Sequence, residues 1–323
     1  MNKTITWLHI SDRHIGKPGA SWDATRVIDT LVTDFKKMER DHGLHPDYIF
    51  FTGDAAYGQL GSNENEALVN QLSSAQEFFN SVRQAFSPEV PATNLFIVPG
   101  NHDLNRKKVE EAQTFWLDNQ KDYLVIDNHM ETKSFQWSHL MDRLEEYKQF
   151  LSVNGYSHLL SDKDHLVYSV LTEKSGVTVG IGGFNTAWSC CRDNEKSKLW
   201  MGSHWQLEHL HSKLKNTDFS IAIMHHPPNW LTEYEDPHFK TGLERDFKFI
   251  LHGHEHTNWV NPSSEGYTWI AAGACYEHSD KANGYNFVRI DLETGKGEVF
   301  LRKYETNGGG WVPCTVYGKT DNN

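Results

Sequence analysis

Cysteine is scarce in this 323-residue chain, with only Cys190, Cys191, Cys275 and Cys314 present. None forms a C-x-x-C pair, and neighbours such as Cys190 and Cys191 rarely bridge each other. A thiolate zinc finger and a disulfide framework are therefore poor readings, and reduced thiols in a cytoplasmic protein are the simplest one. Long apolar runs are also missing. No segment approaches membrane-spanning length, and residues 1–10 run into polar sequence without the h-region of a signal peptide. Positive charge is in deficit: Lys and Arg total 31 against 43 Asp and Glu, for a formal net charge of -12. That balance argues against a general grip on nucleic-acid phosphates, while leaving room for a local basic groove.

Aromatic residues are plentiful, with 11 Trp, 12 Tyr and 17 Phe. Most are accounted for by core packing, with a ring-lined substrate cleft as the alternative use. The first half alternates β-like runs at 5–10, 47–51 and 95–98 with helical periodicity, the rhythm of an α/β fold. One predicted helix carries Val27, Leu31, Phe35 and Met38 on one face, and a second carries Leu68, Leu72, Ala75, Phe79, Val82 and Phe86. From 166 onward strands dominate, at 166–171, 177–181, 219–224, 247–251, 267–272 and 285–302, the last a hairpin turning at 291–297. Between them, residues 104–165 are polar, with amphipathic stretches at 109–116 and 135–151. They read as a helical insertion or cap, or equally as helices flanking the sheet. The reading is one domain over 1–305 and a C-terminal tail over 306–323.

Polar residues gather where predicted strands end. The first strand runs into Ser11-Asp12-Arg13-His14, and alternation along an extended segment would point Asp12 and His14 the same way. The second ends in Gly53-Asp54 and the third in Pro99-Gly100-Asn101-His102-Asp103. Glycine permits close backbone approach, Asn101 offers a neutral oxygen, and His102 beside Asp103 is the pairing in which a carboxylate orients an imidazole. Later strands deliver His225-His226-Pro227-Pro228 and His252-Gly253-His254-Glu255-His256. Strand ends of α/β sheets converge, so residues distant in sequence can meet there. A donor set of oxygen and imidazole without thiolate suits manganese, iron or zinc, and a bridging aspartate permits two ions.

The succession D-x-H, G-D, G-N-H-D, H and G-H-x-H, from Asp12 to His256, resembles the calcineurin-like metallophosphoesterase superfamily. The resemblance implies a four-layer αββα sandwich of two mixed β-sheets flanked by helices. It implies one metal ion held by Asp12, His14, Asp54 and His256, and a second held by Asp54, Asn101, His225 and His254. His225 is taken over His226 because similar sequences usually ligate through the first histidine of such a pair. His252 falls off the site. His102, unligated and paired with Asp103, would stabilise the transition state or protonate the leaving oxygen, while the two ions activate water and neutralise phosphoryl charge.

Protein phosphatases of this superfamily extend the second motif with an arginine that grips a dianionic monoester. Here Asp54 is followed by Ala55-Ala56-Tyr57-Gly58, which favours a phosphodiesterase acting on a small molecule or nucleotide. A nuclease of the same superfamily is the main alternative, with Arg106, Lys107 and Lys108 as backbone contacts, although a solvated helix start explains them as well. A non-catalytic scaffold with this fold is the third reading. Arg13 should turn away from the site into a structural ion pair. Tyr57, Asn185, Trp188 and His278 are candidates for the leaving-group pocket, with core or loop roles as the ordinary alternative.

Overall fold

The computed structural model describes residues 3–18, 21–58, 64–277 and 282–314. His278 lies outside them. The chain alternates strand and helix through β1 (Thr4–Ile10), α1 (Ser21–His42), β2 (Tyr48–Phe51), α2 (Glu64–Arg83) and β3 (Leu95–Ile97). Four helices come next: α3 (Glu111–Asp118), α4 (Tyr123–Glu131), α5 (Phe135–Met141) and α6 (Glu145–Val153). Then come β4 (Tyr168–Lys174), β5 (Val177–Gly183), α7 (Ser203–Leu214), β6 (Phe219–Met224), α8 (Asp236–Asp246) and β7 (Phe249–His252). The chain continues with β8 (Trp259–Pro262), β9 (Thr268–Ala271), β10 (Gly284–Asp291), β11 (Gly297–Glu305) and β12 (Gly310–Pro313).

These strands build two mixed sheets, ordered β12-β11-β10-β1-β2-β3 and β4-β5-β6-β7-β9-β8. In the first, β1, β2 and β3 run parallel, and β10 joins β1 antiparallel. In the second, β5, β6, β7 and β9 run parallel between antiparallel β4 and β8. Parallel strands at the centre of a sandwich are covered on both faces, so their sequences read as continuous apolar runs; β1 is buried from Ile5 onward. Trp7 of β1 meets Phe50 of the same sheet and Phe219 and Phe249 of the other, all edge-on at centroid distances of 5.1–6.2 Å. That aromatic cluster is the inter-sheet core.

The predicted helical stripes are buried as expected: Val27, Leu31, Phe35 and Met38 on α1, and Leu68, Leu72, Ala75, Phe79 and Val82 on α2. Phe35 packs edge-on against Tyr285 of β10. On that same face Arg302 forms a buried ion pair with Asp34 at 2.7 Å, and the Tyr285 hydroxyl donates to Asp34 at 2.6 Å. The stretch expected as a single helix at 135–151 is broken at 142–144 by one 3₁₀ turn. There Arg143 turns inward and donates to the carbonyls of Leu140, Cys190 and Trp188. Helix α6 packs on α2, with the rings of Phe79 and Phe150 6.3 Å apart, and α4 packs on α7.

Two strands depart from the expectation, and helices α4, α7 and α8 fall outside the amphipathic stretches expected as helices. Strand β8, four residues long and ending in Pro262, is an edge strand whose second half is exposed, too short to show a pattern in sequence. Strand β12 falls in the stretch read as tail; Trp311 anchors it by burying its ring against Tyr285 and Tyr304 and donating to the Val27 carbonyl. No disulfide joins any of the four cysteines. Among the described residues, no helix is long and apolar enough to cross a membrane.

Candidate metal centre

Each of the five motifs sits just past the C-terminal end of a parallel strand: Asp12 after β1, Asp54 after β2, Asn101 after β3, His225 after β6 and His254 after β7. The sandwich therefore brings donors from both sheets to one edge, the place where open α/β sheets hold ligands.

The donor side chains converge. Asp54 Oδ2 lies 3.4 Å from His14 Nε2 and 3.3 Å from His225 Nε2, placing this carboxylate between the two groups of candidate donors. Asp12 Oδ1 lies 3.1 Å from His256 Nε2 and 3.9 Å from His14 Nε2. On the other side, His225 Nε2 lies 3.0 Å from Asn101 Oδ1 and 3.1 Å from His254 Nδ1. Potential ligand atoms of Asp12, His14 and His256, and of Asp12, Asp54 and His225, all lie within 4.8 Å of one another.

The backbone is bent to achieve this. Asp12, His14, Asp54, His254 and His256 all have positive φ, at 53°, 50°, 58°, 67° and 55°. Non-glycine residues rarely adopt that region, and holding them there costs on the order of 1–3 kcal/mol each, as is common where function demands a particular side-chain direction. Left-handed turns, not extended alternation, thus aim Asp12 and His14 together. Glycines make room beside them. A Cβ on Gly100 would sit 2.5 Å from the Asp54 nitrogen, and one on Gly53 would sit 2.5 Å from His225 Nδ1.

The donor set fits cations. His225 Nδ1 is 2.7 Å from the Thr52 carbonyl, an acceptor that requires the ring proton on Nδ1. Its Nε2 lone pair then faces Asn101 Oδ1 and Asp54 Oδ2, acceptors opposed to an acceptor, unless a cation lies among them. A proton can play that part: burial opposes it, but the charge and hydrogen bond of Asp54, the charge of Asp12 and the Thr52 carbonyl together raise the His225 pKa to about 9. Burial and the nearby His225 hold His254 neutral, with a pKa lowered to about 3, in the form that ligates metal. Burial opposes the charge on Asp12, yet the neighbouring His256 and His225 keep it ionised.

His226, the rejected member of its pair, is also buried here. Its Nε2 lies 3.2 Å from Asn101 Oδ1, while its Nδ1 pairs with the Thr186 hydroxyl at 3.0 Å. His225 alone of the two approaches Asp54 within ion-pair distance. His252 turns off the site and packs its ring against Trp259.

Adjacency in sequence does not pair His102 with Asp103. The Asp103 carboxylate instead accepts the backbone N–H groups of Asp54, Gly100 and Ala56 at 2.8, 2.9 and 2.9 Å, which occupies it inside the loop. His102 Nδ1 faces the Tyr57 carbonyl at 2.7 Å, its ring stacks on Tyr57 at 5.2 Å, and its backbone N–H donates to Asp54 Oδ1. Burial lowers the His102 pKa. Of the leaving-group candidates, Tyr57 therefore adjoins the site. Asn185 and Trp188 are core residues, bonded to the His165 and Met201 carbonyls. Arg13 turns away, as expected, but not into the expected ion pair: its guanidinium lies over the Phe78 ring, with no carboxylate paired to it among the described residues.

Sequence reasoning passed over Glu277 and Trp230. Glu277 Oε2 lies 3.5 Å from His14 Nδ1 and 3.3 Å from His256 Nδ1, and Trp230 stands edge-on to His254 at 4.0 Å. Neither belongs to a repeated motif; only the fold places them.

Comparison with known proteins agrees with this geometry. The profile of the calcineurin-like phosphoesterase family matches residues 5–258. The chain is 22% identical to an uncharacterized metallophosphoesterase-like protein, YydB, of Bacillus subtilis, over 94% of its own length and 60% of that protein's. It thus spans less than two thirds of this relative. In fold it is similar to GAP50, the anchor in the inner membrane complex of Plasmodium, with a TM-score of 0.51 at 12% identity over 98% and 90% of the two chains. It is similar also to a 5'-nucleotidase from Candida albicans, with a TM-score of 0.50 at 13% identity over 94% and 53%. A family profile that covers all five donor-bearing strand ends, on a sandwich of the same architecture, places the chain in the calcineurin-like phosphoesterase family.

Proposed function

We propose that the protein is a metal-dependent phosphoester hydrolase with a preference for diesters, acting on a small molecule or nucleotide. The observation that carries this reading is the placement of Asp54 between two donor groups, Asp12–His14–His256 and Asn101–His225–His254, the latter with His226 beside it. These would hold two ions, manganese, iron or zinc by donor type. Bound there, the ions would supply Lewis acidity toward phosphoryl oxygens and lower the pKa of water.

The chain's own residues do the rest. Asp54 and Asp12 fix the charge that the ions must meet. Asp103 holds the loop that carries Asn101 and His102 against the loop that carries Asp54. His102, gripped through Nδ1 by the Tyr57 carbonyl, serves the substrate through Nε2, where it would stabilise charge or pass a proton to the leaving oxygen.

Diester preference rests on the two residues after Asp54. Ala55 and Ala56 are buried and offer no cation for a second phosphoryl charge. The basic run considered for nucleic acid is engaged elsewhere: Arg106 pairs with Asp193 at 3.3 Å and Lys108 with Glu146 at 2.9 Å. A scaffold role, suggested by the likeness to an anchor protein, has no need of a complete donor set. The buried or partly shielded thiols accord with a cytoplasmic setting. Hydrolysis of bis(p-nitrophenyl) phosphate and p-nitrophenyl phosphate by metal-stripped protein resupplied with manganese tests the reading. Faster turnover of the diester is expected, and faster turnover of the monoester would overturn the substrate class.

A further inference from the structure

The two histidines of one donor group share a feature that the other group lacks. His14 and His256 both present Nε2 to the aspartates, at 3.4 Å from Asp54 and 3.1 Å from Asp12. Both turn Nδ1 toward the same atom, Glu277 Oε2, at 3.5 and 3.3 Å. The Tyr276 carbonyl adds a second acceptor 3.3 Å from His14 Nδ1. The other oxygen of Glu277 is held by the Lys17 ammonium at 2.6 Å, and Lys17 also lies over the Tyr57 ring, so the carboxylate is fixed from its far side.

A neutral imidazole carries one N–H. An anion facing Nδ1 of each ring places that proton on Nδ1 and leaves the Nε2 lone pair aimed at the aspartates. It also makes the ring a more basic ligand. In the second group the corresponding partner of His225 is a neutral backbone carbonyl, Thr52, while His254 directs its own Nδ1 toward the site. One group thus has a carboxylate behind both of its imidazoles and the other has a peptide dipole behind one.

We propose that Glu277 is a positioning residue shared by His14 and His256, which fixes the ligating tautomer of both and makes the Asp12–His14–Asp54–His256 site the tighter of the two metal sites. This rests on the reading that these residues hold metal, and the test separates the two. Isothermal titration of the metal-stripped full-length chain with manganese alone, with bound Mn(II) counted by electron paramagnetic resonance, reads both sites without activity. The wild-type chain is expected to show two unequal sites. Glu277→Gln is expected to weaken the tighter one by about 10–100-fold and to spare the weaker, with Glu277→Asp in between. Because the side chain is three-quarters buried and paired with Lys17, melting of the metal-free variants is measured alongside, so that a general loss of stability is told apart from a loss confined to one site. Should Glu277→Gln not fold, Lys17→Met loosens the same carboxylate and should weaken the same site to a smaller degree. Unchanged constants in these variants, or equal weakening of both sites, would overturn the inference. No manganese binding by the wild-type chain would overturn the reading beneath it and this inference together.

Discussion

Asp103 accepts the backbone N–H of Asp54 at 2.8 Å, so the carboxylate closing the third motif is a brace for the second. With the Gly100 and Ala56 amides also donating to it, one buried side chain fixes two loops that carry Asp54, Asn101 and His102. Burial, and secondarily the charge of Asp54, push the Asp103 carboxyl up to about 7. The amide donors act in the opposite sense.

Asp103→Ala strips three buried N–H groups of their acceptor. An unsatisfied buried donor costs about 1–3 kcal/mol, so a loss of several kcal/mol is expected in urea denaturation of the metal-free protein. Manganese affinity should fall with it, because the loops lose their register. Unaltered stability would mean that the carboxylate does not brace the loops.

Gly100→Ala probes the same contact by steric means. The added methyl would press on the Asp54 nitrogen from 2.5 Å and on its carboxylate, with backbone on one side and a fixed donor on the other. Hydrolysis should be lost while far-ultraviolet circular dichroism is retained. Activity within a few-fold of wild type would show that Asp54 can move without penalty.

Glu235 gives a pH prediction away from the candidate metal centre. It is fully buried, accepts the Met201 and Gly202 amides, and burial raises its pKa from 4.5 to about 8. The folded state therefore keeps a proton that the unfolded state releases between about 4.5 and 8. Its contribution is complete at the acid end of that window and is lost as pH rises through the folded pKa. The wild-type minus Glu235→Gln difference in unfolding free energy should shift against wild type between pH 5 and pH 8, by an amount on the order of a few kcal/mol. A difference independent of pH would contradict the assignment.

The order of strands and the gathering of polar residues at their ends were legible because both are local signals: β1, β2, β3, β6 and β7 are apolar runs, each stopped by a motif containing a polar donor, while the two-sheet sandwich followed from the resemblance those motifs carry. The periodicity of α1 and α2 was equally plain, since every stripe residue from Val27 to Met38 is buried. What stayed hidden depends on contacts remote in sequence. The true partner of His102, the Tyr57 carbonyl, is a backbone atom 45 residues away. Glu277 meets His14 across more than 260 residues and carries no motif of its own. Strand β12 is defined by where Trp311 packs, and its glycine-rich approach reads as tail. The left-handed turns at Asp12 and His14 have no glycine to announce them.

Asp54, as proposed, would join two ions into one hydrolytic centre. The measurement that tests it most directly is the metal content of wild type and Asp54→Ala after manganese loading and removal of free ion, read together with turnover of bis(p-nitrophenyl) phosphate. Two ions per wild-type chain with turnover that tracks their occupancy is the predicted result, together with loss of both retained ions and of turnover in Asp54→Ala. Metal-independent turnover, or an Asp54→Ala protein that retains two ions and full activity, would contradict it.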